Sequence, residues 1–219
     1  MNSCHKGFTL AEVLITLVII GIIAAFTVPT LIQRTQNKEY SSKLKKAYSV
    51  LQQATHQIAL NNGYSQGDYS FFLNDNFIEE FAKVVNTQKT CNTTLECFGT
   101  SSFNNYVCLN NSTSSTCNFT AQKSLITTDG LIYTVATNDS NYNRFGISDE
   151  DVANSLGRIV VDVNGQRKPN KIGIDTFIFF IVDKKGVVPA GAASTAECSR
   201  SSSGRTCAAR VLREGDINY

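Results

Sequence analysis

The chain has 219 residues, with 20 lysines and arginines against 18 acids and a formal net charge of +2. That near balance excludes a strong general attraction to nucleic acid. Charged residues are only 17% of the total, below the roughly 25% usual in soluble domains, and a supply of two histidines argues against a zinc site.

Taken from the start, a polar leader, MNSCHKG, runs into residues 8–32, FTLAEVLITLVIIGIIAAFTVPTLI, which are almost wholly apolar and carry one charge, Glu12. At ~1.5 Å per residue this run is long enough to cross a ~30 Å hydrocarbon core. A charge at the centre of a membrane helix costs ~2.5–3.5 kcal/mol on insertion scales. Glu12 must therefore be neutralised or reach the headgroups. No A-x-A-like cleavage site follows the run, and Cys4 has no apolar segment before it. Instead the run flows into a charged helical pattern containing Arg34, Lys38, Lys43, Lys45 and Lys46.

The succession Lys6-Gly7-Phe8-Thr9-Leu10-Ala11-Glu12 ahead of an apolar run resembles the type IV prepilin leader, shared by pilins and by the pseudopilins of type II secretion systems. The resemblance covers residues 1 to about 35. It implies cleavage between Gly7 and Phe8 by a prepilin peptidase on the cytoplasmic side, with methylation of the new Phe8 amine. It implies that Glu12 pairs with the amine of a neighbouring subunit during assembly, and that Pro29 is the helix-bending proline of these stalks. The physical chemistry agrees. Gly7 puts no side chain in a protease's way, Phe8 and Glu12 lie four apart on one helix face, and an amine of pKa ~7.7–8.0 is largely cationic at neutral pH. The expected partners are other pilin subunits, the peptidase, an inner-membrane assembly platform and the membrane itself, with no nucleic acid. The expected location is the bacterial inner membrane, single-pass with the head in the periplasm, and a filament after assembly.

Beyond Pro29, Tyr40, Leu44, Ala47, Tyr48, Leu51, Ala54 and Ile58 recur at spacings of three and four, which predicts that the helix continues with an amphipathic half. Asn61-Asn62-Gly63 supplies its stop. The division is then a leader over 1–7, a helix over 8–62 (8–32 for membrane or filament core, 33–62 amphipathic) and a head over 63–219. His56 reads as a solvated side chain. The five basic residues after the span would place the head in the cytoplasm by the positive-inside rule. The cysteines argue the reverse.

Six of them, Cys91, Cys97, Cys108, Cys117, Cys198 and Cys207, lie in loop-like surroundings with no C-x-x-C. An even set of this kind favours disulfides and an oxidising compartment. Six cysteines allow 15 pairings; the expectation is the sequential set, most secure for Cys198 and Cys207 around the solvated SRSSSGRT. Pilins often close a C-terminal loop in this way.

In the head, Asn74 or Asp75 caps an expected short helix over 77–85, and 86–120 reads as a loop held by its two small disulfides. Residues 124–127 and 131–137 flank Asp129-Gly130 as a hairpin. Residues 159–163 and 176–182 read as strands, the latter apolar on both faces and hence central. The expected fold is α+β and type IV pilin-like: a long N-terminal helix packed on an antiparallel sheet of about four strands, with disulfide-closed loops.

The most site-like stretch is 162–175, DVNGQRKPNKIGID. Asp162, Asn164, Asn170 and Asp175 supply alternating oxygens around a glycine turn, and calcium, which takes six to eight oxygens, is the one cofactor the sequence suggests. Comparable Asp-rich loops hold calcium in major pseudopilins. With two carboxylates and Arg167 and Lys168 between them, the plainer reading is an Asn-Gly turn and a proline-stiffened loop. Arg200, Arg205, Arg210 and Arg213 read as a solvated face. No G-x-S-x-G, H-E-x-x-H or phosphate loop is present, so the chain reads as a filament subunit and not an enzyme. The competing class is a periplasmic enzyme or binding protein on an uncleaved helical anchor.

Overall fold

The computed structural model describes residues 7, 9–65, 67–73, 76–93, 96–97, 106–112, 117, 123–136, 145–193 and 198–219. Residues 1–6, most of the expected leader, Phe8 and the cap expected at Asn74 or Asp75 lie outside the described residues.

Helix α1 spans Leu10–Asn61, 52 residues and about 78 Å. It starts two residues later than expected because Thr9 is its N-cap in extended conformation. Thr9 and Glu12 form a capping box: Glu12 N donates to the Thr9 hydroxyl at 3.3 Å, and Thr9 N donates to Glu12 Oε2 at 2.8 Å. At the other end the Asn62 N–H bonds Ile58 O, and Gly63 takes a positive φ of 76°. The helix continues through Pro29, which has no N–H to give the carbonyl of Ala25.

The two halves of α1 meet different surroundings. From Leu10 to Ile32, fourteen large apolar side chains are exposed, and an 18-residue window of mean hydropathy 2.5 has none of its residues buried. Further on, Tyr40, Leu44, Ala47, Leu51, Ala54 and Ile58 are buried, one side chain per turn along a single face. That face lies on an antiparallel sheet of six strands in sequence order: β1 (Thr87–Cys91), β2 (Ser124–Thr127), β3 (Ile132–Ala136), β4 (Ser155–Asp162), β5 (Thr176–Val182) and β6 (Gly186–Pro189). The architecture is the α+β one expected, with two more strands. β1 (TQKTC) is polar and mostly exposed, so it carries no alternation to read. β6 has four residues and ends in Pro189, tolerable there because a proline at a strand end breaks no inner ladder.

Strand β5 is buried at every position because both sheet faces are covered. Phe177, Phe179 and Ile181 face the core shared with α1, where Tyr48 stacks on Phe179 at 5.6 Å. Ile178, Phe180 and Val182 face a second core. That core contains Tyr106, Phe145, Ile172 and four of the disulfide cysteines. The 86–120 segment is therefore not held by disulfides alone. Its cysteines are themselves part of a hydrophobic layer.

Helix α2 (Phe77–Val84) buries Phe77, Ile78 and Phe81, with Asn76 at its N-cap and no side-chain cap bond. Two helices had no sequence signal strong enough to mark them: α3 (Asp149–Ala153), capped by Ser148, and α4 (Cys207–Glu214), ended by Gly215 in the left-handed region. Of the four arginines expected as a solvated face, Arg213 is exposed, while the other three tie down the C-terminal segment. Arg210 donates to Cys198 O at 2.7 Å and to Glu214 at 3.0 Å, Arg205 lies over the Phe145 ring, and Arg200 Nε donates to Tyr219 O at 2.7 Å. Asn37 of α1 donates to Ile217 O at 2.6 Å, closing the tail onto the helix.

Phe179→Ala should lower the unfolding free energy of the full chain in detergent by ~3–5 kcal/mol, the usual cost of emptying a buried aromatic site. Lys43→Gln, which breaks the exposed Glu39 pair at 2.8 Å, should cost less than ~1 kcal/mol. Urea titration of both variants measures the difference, and equal effects would contradict the burial described.

Candidate functional site

At the front of the chain, Gly7 is exposed and nothing lies within 4 Å of where a Cβ would sit. Glu12 follows in the first turn of α1, its carboxylate folded back onto the N-cap. Oε2 accepts from Thr9 N at 2.8 Å and from the Thr9 hydroxyl at 2.9 Å. The acid thus sits beside the backbone end of the helix, where the positive end of the helix dipole favours it. Pro29 lies inside α1 with its neighbours exposed. His56 is an exposed helix residue.

The loop between β4 and β5 brings Asp162, Asn164, Asn170 and Asp175 into one buried cluster. All four are buried, and Asp175 is fully so. Asp175 Oδ2 accepts from Asn170 N at 2.7 Å and Asn164 Nδ2 at 3.0 Å, while Oδ1 accepts from Lys171 N at 2.6 Å. Asp162 Oδ1 accepts from Asn164 N at 3.1 Å and Oδ2 from the Tyr106 hydroxyl at 2.6 Å. Asn164 Nδ2 also reaches the Tyr40 hydroxyl at 3.2 Å, which fastens the loop to α1. The Asn-Gly pair forms the turn: Gly165 has a φ of 68°, and a Cβ there would lie 2.5 Å from Gly130 O of the β2–β3 turn. Lys168-Pro169 is cis, and Arg167 and Lys168 are exposed, outside the cluster.

Sequence spacing did not mark Tyr106 or Tyr40 as members of this cluster. Each is brought in by the tertiary fold.

Burial pushes the Asp175 carboxyl up to about 6, its hydrogen bonds holding it from going further. Burial, reinforced by the charge of Asp175, pushes Asp162 well above the usual carboxylate range. The Tyr106 phenol is raised by burial and by Asp162. Two amide oxygens, Asn164 Oδ1 and Asn170 Oδ1, are buried and accept no hydrogen bond among the described residues. Two carboxylates and two orphaned amide oxygens fit a hard cation such as calcium in kind. No group of three or more His, Cys, Asp or Glu side chains placed to hold a metal occurs among the described residues, so backbone carbonyls or water would have to complete the shell.

Disulfides join Cys91 to Cys97, Cys108 to Cys117, and Cys198 to Cys207. The last closes the loop whose Ser203 and Ser202 carbonyls accept from Leu109 N at 3.0 Å and Asn110 N at 3.1 Å. The loop closed by Cys108 and Cys117 is thereby docked on the C-terminal one.

A long N-terminal helix laid on an antiparallel sheet, with a disulfide-bonded head, is a pilin-like architecture. Residues 2–28 match the family model for the prokaryotic N-terminal methylation motif. That motif is the prepilin-type signature, and it supports the type IV pilin and pseudopilin family for this chain. No curated protein and no solved structure matches the chain.

A carboxyl near pKa 6 when folded and ~3.9 when unfolded binds its proton more tightly in the folded chain. It contributes stability below about pH 4 and loses it as pH rises through 6. With metal chelated, the full chain should therefore lose up to ~3 kcal/mol between pH 4 and 7 from this group. Asp175→Asn, which does not titrate, should flatten that slope in urea titrations across the range. An unchanged slope would show that Asp175 is not its source.

Proposed function

We infer that this chain is a structural subunit of a type IV pilus or a type II secretion pseudopilus. A prepilin peptidase cuts it after Gly7 on the cytoplasmic side, and it assembles through the first half of α1, with the Phe8 amine of one subunit meeting Glu12 of the next. The observation that carries this reading is the methylation motif at residues 2–28 running straight into an uncovered apolar rod. Even at ~1 kcal/mol each, fourteen exposed side chains cost on the scale of a whole domain's stability, roughly 5–15 kcal/mol. A bilayer covers that rod before assembly, and the rods of neighbouring subunits cover it afterwards. Before assembly the chain lies in the inner membrane with the head in the periplasm, where its three disulfides persist, and it reaches the filament through an inner-membrane assembly platform.

On this reading Glu12 has two states. Alone, its carboxylate is held by Thr9; in the filament it exchanges that partner for a cation, and in low dielectric the new pair is far stronger than in water. Pro29 bends the rod where its ladder bond is missing. Residues 1–7 are leader, 8–62 the stalk helix and 63–219 the head.

The competing reading, an enzyme or binding protein on an uncleaved anchor, is set against a family that is generally structural. Mass analysis of the protein from its native host decides between them: a methylated Phe8 terminus is expected, and a retained leader refutes processing. Glu12→Ala should leave the urea midpoint of the head unchanged within ~0.5 kcal/mol while abolishing incorporation into filaments. Normal incorporation would sink the pairing role.

The orphaned Asn164 and Asn170 oxygens favour a second assignment within the same function, a calcium ion held by Asp162, Asn164, Asn170 and Asp175 that stiffens the β4–β5 loop. Both carboxylates must be ionised to bind it, and burial raises both, so affinity should fall as pH drops below 7.5. Calorimetric titration at pH 7.5 should give heat and a raised melting temperature; neither appearing removes the metal.

A further inference from the structure

Of the five basic residues after the apolar run, two are ion-paired, two follow the end of the span directly, and Lys45 is exposed further along the helix with its Nζ beside Gly215. Lys43 is paired with Glu39 at 2.8 Å and Lys46 with Asp129 at 2.7 Å. Arg34 and Lys38 are exposed and form no ion pair among the described residues. Four residues apart, they share one face of α1, about 6 Å apart along it, immediately after the span ends at Ile32.

The tertiary fold brings a loop that carries two more cations to this end of the helix. Pro169 and Ile174 of the β4–β5 loop share an apolar groove with Val28, Pro29, Ile32, Gln36 and Tyr40 of α1. Val28 and Ile32 belong to the apolar run, so the loop reaches down to the very end of the span. The two residues before Pro169 are Arg167 and Lys168, both exposed and without an ion pair among the described residues. The loop is held there by the Asp175 bonds to Asn170 and Lys171 and by the Asn164–Tyr40 bond. Of the acids near this end, Glu39 is engaged by Lys43, Glu214 by Arg210, Asp162 and Asp175 within the buried cluster, and Asp216 by the Ile217 N–H.

We propose that the base of the head is a docking surface for anionic phospholipid, with Arg34 and Lys38 on the helix and Arg167 and Lys168 on the loop binding headgroup phosphates of the leaflet where the span emerges. Phosphates at that depth supply the complementary charge, and a cation near an anionic leaflet gains roughly fivefold in association. This rests on α1 being anchored in a bilayer but not on filament assembly. It also gives the basic residues that follow the span a role on the side where the positive-inside rule does not expect them. Docking would hold the head upright on the membrane in the state from which subunits are drawn.

The test uses the full chain at one copy per lipid nanodisc. Spin-labelled phosphatidylglycerol and phosphatidylcholine report the relative association of anionic and zwitterionic lipid. The wild type should prefer phosphatidylglycerol by at least about fivefold at low salt. R167Q/K168Q should cut that preference about fivefold or more with the urea midpoint unchanged, and R34Q/K38Q should do the same. K43Q/K46Q should leave it intact. No preference in the wild type, an unaltered preference in R167Q/K168Q, or an equal loss in K43Q/K46Q would each overturn the proposal. The same measurement on Glu12→Ala should match the wild type, so a failure of the assembly reading shows separately from a failure of lipid docking.

Discussion

Everything in this molecule follows from one helix being asked to satisfy two solvents. The first 23 residues of α1 present apolar side chains in every direction, and among the described residues only Pro169 and Ile174 approach them, at the Val28–Ile32 end. The second half narrows to a single apolar face and gives the rest to polar residues. A helix tolerates such a change of pattern along its length because its backbone bonds are internal. The head cannot follow the helix into the apolar region, since its loops and sheet edges need water or protein partners. The boundary near Ile32 is therefore where the chain must meet whatever covers the rod.

The head is built to hold that boundary in place. The same face of α1 that carries Tyr40, Leu44 and Leu51 closes the sheet's core. The C-terminal tail returns to α1 at Asn37, and the β4–β5 loop returns at Tyr40. Two buried carboxylates organise the second contact at an electrostatic cost visible in the raised Asp162 and Asp175. Apolar residues could not have done the same. A loop of this length has backbone N–H groups to satisfy, and Asp175 takes those of Asn170 and Lys171.

The disulfides belong to this arrangement too. Cys91, Cys97, Cys108 and Cys117 line the second core against Ile178 and Phe180, so each bond both closes a loop and fills space. Cys198–Cys207 sits where α4 begins, fixing the helix whose return closes the head.

Much of this was written in local pattern. The apolar run, the prepilin-type spacing around Gly7 and Glu12, the 3–4 periodicity through Ile58, the Asp129-Gly130 hairpin and the bounds of β5 all depend on neighbours in sequence, and periodicity reports them directly. β1, β6 and α4 were not legible, because a polar edge strand, a four-residue strand and a helix with four arginines around it are stabilised by what they pack on and not by their own pattern. The clustering of Asp162, Asn164, Asn170 and Asp175 could be suspected from spacing. That the cluster is buried, that Tyr106 and Tyr40 complete it, and that the loop carrying Arg167 and Lys168 reaches the end of the apolar run depend on contacts between residues over fifty positions apart. Sequence determined which surfaces this chain must hide; only the folded head decided which charges stand at the edge of the hidden part.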